Sequence, residues 1–105
     1  MMRAIRLFNP EMLPCIRVGE VALFDSNETP TENDRVIVWF ADGTIAGRVL
    51  VSMDAATLVL RTYRPAADIA VAKHDVLRIH PISQLCPARD WAWLTDQQSN
   101  ETRAA

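Results

Sequence analysis

Short apolar runs rich in β-branched and aromatic residues recur along the chain, each bounded by Asn, Asp, Pro or Gly. They are Val21-Ala22-Leu23-Phe24, Val36-Ile37-Val38-Trp39-Phe40, Ile45 to Val51, Leu58 to Leu60 and Val76 to Ile82. Runs of this length and composition predict strands, and their spacing predicts a mostly β fold: a meander forming a compact bent sheet or a partly closed barrel, with little helix. Asp42-Gly43 between two of the runs is the clearest local signal, because the positive backbone angles of a tight hairpin turn suit Gly and tolerate Asp. It predicts that the second and third runs pair. Ser26 to Asp34, with Asn27, Thr29, Pro30 and Asn33, is polar and predicts a surface loop. A second loop is expected to run through Pro65-Ala66-Ala67-Asp68 to Ile69-Ala70-Val71, of which the last part can be read as a short strand.

The pattern changes near the C-terminus. Cys86 to Leu94 holds two of the three tryptophans, Trp91 and Trp93, and the stretch after Leu94 is polar, without an apolar period. Residues 1–94 are therefore expected to form a single domain and residues 95–105 a disordered tail. Trp91, Trp93 and Leu94 have two readings: a short element that covers the open end of the sheet, or an exposed anchor for a partner, since tryptophans contribute heavily when buried in an interface. With 105 residues, half of them apolar, one core is what the chain can bury.

Charge and candidate ligands narrow the picture by exclusion. A net charge of −2, with ten arginines and one lysine scattered among acidic residues, gives no sequence-independent pull on a phosphate backbone, so direct DNA binding is not expected. Cys15 and Cys86 suggest thiols rather than a disulfide scaffold, and with His74 and His80 they make no zinc spacing, so no metal or other cofactor is expected. His80 before Pro81 predicts a strand-end surface residue. No apolar run reaches membrane-spanning length and no signal-peptide core stands at the start, which together predict a cytoplasmic protein.

One segment carries more than fold information. Glu11-Met12-Leu13-Pro14-Cys15-Ile16-Arg17-Val18-Gly19-Glu20, followed by an apolar strand, resembles the nucleophile segment of the LexA, UmuD and phage-repressor serine/lysine self-cleaving peptidases, whose pattern is Ser-Met-x-Pro-x-Ile-x-x-Gly-Asp. Met12, Pro14, Ile16 and Gly19 fall on that pattern, Glu20 is a near match to its Asp, and Glu11 occupies the place of the nucleophilic serine. Downstream, Ile45-Ala46-Gly47-Arg48-Val49-Leu50 is similar to the strand with the catalytic lysine, with Gly47 in the lysine position before a matching Arg48. Leu58 to Arg61, Tyr63-Arg64-Pro65 and Val76 to Ile82 extend the similarity to roughly residues 9–82.

The resemblance implies a LexA-like fold without its chemistry. In that mechanism a neutral lysine amine takes the proton of a serine hydroxyl, whose oxygen attacks a carbonyl. Glu11 and Gly47 supply neither group, so the chain is expected not to be an enzyme. Lys73, the only lysine, lies on a different segment, and Cys15 has no neighbour that would stabilise a thiolate, although a residual hydrolase using either is an alternative. Cys15 is expected to pack beside the degenerate site, and Glu11 to be exposed or paired with Arg48 or Arg17. Only ten residues precede Glu11, leaving room neither for the family's cleavage loop nor for its helix-turn-helix domain, so self-cleavage is not expected. What remains is binding: dimerisation, or contact with a repressor or related regulator of phage or mobile-element type, through Met12, Pro14, Arg48, Trp91 and Trp93. The alternatives are a pseudo-peptidase that holds an extended peptide beside Glu11, and a small nucleic-acid-binding β-barrel.

Overall fold

The computed structural model describes residues 2–8, 10–13, 15–87 and 99–101. Eight strands form one sheet: β1 (Met2–Arg6), β2 (Val21–Asp25), β3 (Arg35–Phe40), β4 (Ile45–Met53), β5 (Thr57–Tyr63), β6 (Ala66–Ala72), β7 (Val76–Cys86) and β8 (Ser99–Glu101). Their order is β6-β5-β4-β3-β7-β2-β1-β8, antiparallel throughout except for the short β8, which runs parallel to β1. The order has two ends, so the fold is the bent sheet and not a closed barrel. Among the described residues helix is confined to two 3-10 turns, Pro10–Met12 and Lys73–Asp75, and no helix is long and apolar enough to cross a membrane.

The five expected runs all lie in strands, and β3 to β6 are consecutive antiparallel neighbours. The β3–β4 hairpin closes with Phe40 N–H donating to Thr44 O (2.8 Å) and Gly43 N–H donating to Phe40 O (3.1 Å). Within this turn Gly43 takes a positive φ, +95°, and Asp42 serves through its carboxylate, which accepts the Thr44 N–H at 2.9 Å. The strand β7 then crosses back to the middle of the sheet. Its first half pairs with β3, up to Val36 opposite Pro81, and its second half with β2, from Phe24 opposite Ile82. Pro81 sits where β7 changes partner, the kind of irregular position at which a central strand tolerates a missing N–H.

Alternate residues of β3 feed two apolar clusters. Ile37 and Trp39 join Ile5, Leu7, Met12, Ile16, Ala22, Phe24 and Val49, while Val36 and Val38 join Leu50, Leu58 and Leu60. The first cluster is roofed by the β1–β2 connection and the second by the curl of β4 to β7, with Val71, Val76 and Ile79 packed at its margin. Both faces of β3 are thus buried, as its unbroken apolar run requires.

Two elements depart from expectation. The first strand, β1, has no strand signal in the sequence, because Arg3 and Arg6 interrupt its apolar run; only Ala4 and Ile5 are buried, and pairing with β2 supplies the rest of its order. Residues 65–71 are not mainly loop: β6 runs from Ala66 to Ala72, pairing with β5 over its whole length. His80 is also not at a strand end. It lies within β7, half-buried, because Phe24 stacks on its ring at 5.6 Å and Trp39 meets it edge-on at 5.7 Å.

Turn carboxylates tie the fold to pH. The Thr44 N–H holds the Asp42 carboxyl below its ordinary value of 3.8, the Ala56 N–H does the same for Asp54, and the Asn27 N–H for Asp25. A carboxylate whose folded value is depressed contributes stability above its unfolded value, and that contribution is lost as pH falls through the folded one. Urea midpoints should therefore hold level from about pH 7 to about pH 5 and fall below about pH 3.8. Asp42→Asn and Asp54→Asn should flatten that acid limb; an unchanged limb in the double variant would show that these turns do not titrate with folding.

Candidate functional site

Residues 7–20 form a closed loop between β1 and β2. Leu7 N–H donates to Glu20 O (2.9 Å), continuing the β1–β2 ladder one step, and Gly19 turns the chain with φ +88°. Glu20 closes the turn from the other side: its Oε1 accepts the Arg17 N–H at 2.6 Å, and its own N–H donates to Arg17 O. The Gly-Glu pair of the motif thus has a local structural task.

Within the loop, the 3-10 turn at Pro10–Met12 is followed by Ile16 N–H donating to Met12 O (2.9 Å). These bonds point Met12 and Ile16 into the first cluster, each 1% exposed. Both rest on β4 at Gly47. A Cβ added there would stand 2.8 Å from Ile16 Cδ1, 3.3 Å from Leu7 Cδ1 and 4.0 Å from Met12 Cγ. The space in which a side chain at position 47 would begin is filled by the loop's own apolar residues.

Glu11 lies at the rim of this contact. Its carbonyl accepts the Arg64 N–H at 2.8 Å, which ties the loop to the β5–β6 turn. Its carboxylate approaches the guanidinium of Arg48, with Oε2 4.0 Å from Nη1, while the same Nη1 donates to Gly47 O at 2.8 Å. Four ångströms is ionic contact and too long for a hydrogen bond. Oε2 is itself enclosed and lacks a hydrogen-bond partner, although the Glu11 side chain as a whole is 36% exposed. Burial pushes the Arg48 guanidinium down from its ordinary value, and the Glu11 charge opposes that shift. Such a pair, partly wet and long, stabilises by about 1 kcal/mol or less.

Glu11, Met12, Gly47 and Arg48 are thus brought together, Arg48 being the arginine beside Glu11. Pro14, Trp91 and Trp93 fall outside the described residues. Cys15 does not pack against the site: it is exposed, because the turn that buries Met12 and Ile16 on one side leaves the residue before Ile16 facing water. Cys86 is buried with Ala4, Val21 and Leu23. Lys73 is not at the site either. Its N–H donates to Ala56 O at the far end of β6 from Arg64, and a strand of that length separates the two ends by roughly 20 Å. The group so assembled is a carboxylate, a guanidinium and a bare Cα, which can hold charge and shape, and it contains no hydroxyl–amine pair.

Sequence reasoning missed a second group. Phe24, Trp39 and His80 stack across β2, β3 and β7, with Phe24 and Trp39 centroids 5.3 Å apart and Arg78 Cζ 4.2 Å above the Trp39 ring. These residues meet only because β7 lies between β3 and β2, a neighbourhood that no local pattern announces. Among the described residues no three His, Cys, Asp or Glu side chains gather as a metal site would require. No protein-family model matches the chain, and no characterised protein or solved structure matches it.

Proposed function

We propose that the chain is a non-catalytic, LexA-like domain of the phage-repressor type that works by protein–protein contact, as a dimer or with a repressor-type regulator of a phage or mobile element, in the cytoplasm. The observation that carries this reading is the contact of the Met12–Ile16 loop with Gly47. The two positions that the resemblance assigns to serine and lysine lie in one contact region, and there Glu11 faces Arg48 while apolar side chains crowd the Cα of Gly47. Neither position supplies the serine hydroxyl or the lysine amine of that mechanism, which favours an activity carried by the surfaces of the domain.

Alkaline incubation tests the absence of chemistry, since raising pH frees the amine or thiolate on which any residual reaction would depend. Purified chain held at about pH 10 should keep its intact mass by mass spectrometry. Discrete fragments that disappear in Cys15→Ala or Lys73→Met would overturn the non-catalytic reading.

A further inference from the structure

Among the described residues the sheet ends at β6, and this edge has the features of a strand made to continue. We propose that β6 pairs antiparallel with β6 of a second copy of the chain, with Ile69 facing Ile69 across a twofold axis. The pairing deepens the interaction role proposed above and rests on it for its purpose.

The direction of the backbone follows from one bond. Lys73 N–H donates to Ala56 O, one step beyond the Ala72–Thr57 pair of the β5–β6 ladder. Successive residues of a strand turn their N–H and C=O to opposite sides. Val71, Ile69 and Ala67 therefore bond to β5, and Ala72, Ala70, Asp68 and Ala66 present theirs at the open edge. An antiparallel partner centred on Ile69 places Ala66 opposite Ala72 and Asp68 opposite Ala70, and completes roughly eight bonds between the chains, two for each hydrogen-bonded pair. Centring the axis on Asp68 instead would set two carboxylates face to face, which is destabilising. Centring it on Ala70 shortens the overlap.

Side chains favour the same register. Ile69 stands opposite Leu60, which is 1% exposed in the second core cluster, yet Ile69 is 50% exposed because the apolar face runs out at β6. A second Ile69 would continue that layer into the partner's cluster. Edge strands commonly guard themselves with a free charge or an inserted proline. Here the only charge on β6 is Asp68, and Arg61 of the neighbouring strand holds it in a two-bond contact, Nε to Oδ1 at 2.8 Å and Nη2 to Oδ2 at 3.1 Å. The prolyl residue, Pro65, lies just outside the strand. The edge is small in side chain, self-complementary in register and neutralised in charge, which fits a second copy better than a partner of different sequence.

Sedimentation equilibrium on the full chain, run over a range of concentrations, tests the pairing. Wild type should pass from monomer to dimer as concentration rises. Ile69→Glu and Ile69→Lys should each raise the dimer Kd by about tenfold or more, because like charges then meet on the axis, and an equimolar mixture of the two should dimerise again as a heterodimer. Ala70→Pro removes an outward N–H without touching the β5 ladder and should weaken the dimer to a similar degree, with the far-UV circular dichroism of the monomer unchanged. A wild type that stays monomeric, a dimer indifferent to these substitutions, or a failure of the mixture to re-form would overturn the β6 pairing. Fragmentation at alkaline pH would instead strike the non-catalytic reading and leave this edge standing.

Discussion

Phe24→Ala should be the most damaging single truncation in the chain, lowering the free energy of unfolding by about 3–5 kcal/mol. Phe24 is fully buried, and its ring belongs to a mutual contact of three strands, 5.3 Å from Trp39 and 5.6 Å from His80. Truncation removes its transfer free energy, leaves a cavity at the place where β2 and β7 meet, and forfeits aromatic pairings of about 0.5–1.5 kcal/mol each. Domains of this size have about 5–15 kcal/mol in total, so a large part of the margin would go. Urea denaturation followed by far-UV circular dichroism measures the loss, and near-UV bands of Trp39 should weaken in the folded variant. Val18→Ala, at a half-exposed position in the loop, is the control and should change stability by no more than about 0.5 kcal/mol. Equal losses at the two positions would mean that the stack does not hold the sheet together.

The reasons that make Phe24 important also explain what the sequence could and could not convey. Strands β2, β3, β4 and β5 are legible because their apolar, β-branched and aromatic runs are bounded by turn residues, and because Gly43 marks a hairpin by a backbone angle that few residues take. The place of β7 is not legible. Its run from Val76 to Ile82 suggests a strand, but that it lies between β3 and β2, with Pro81 at the change of partner, is a long-range property with no local signature. Strand β1 is hidden by Arg3 and Arg6, and β6 by its alanines, which have little preference for strands and gain order only from pairing with β5.

The candidate site divides in the same way. That Met12, Ile16 and Gly19 belong to one segment is what the resemblance implies, and in the structure Gly19 takes a positive φ. That Gly47 is the surface on which this unit rests depends on two strands far apart in sequence. Cys15 shows the limit most clearly: its neighbours in the chain suggest burial, and the direction of a single turn sets it facing water.

Met12→Ala should then be the substitution that separates the loop from the sheet. Met12 is 1% exposed and belongs to the first core cluster, and with Ile16 it is the loop's hold on β4 at Gly47. A 3-10 turn of three residues has too few internal bonds to persist alone, so its order depends on that burial. The expected loss is about 2–5 kcal/mol, and its distribution matters more than its size. If the loop opens locally, Glu11 moves away from Arg48 and the Glu11 carbonyl releases the Arg64 N–H, while the β3–β4 ladder persists. Hydrogen exchange should therefore show the Arg64 amide losing protection by a larger factor than the amides of Ile37 and Val38. Equal loss at all three would mean that the loop and the sheet unfold as one unit, and that Met12 is an ordinary core residue rather than the fastening of the Glu11 turn.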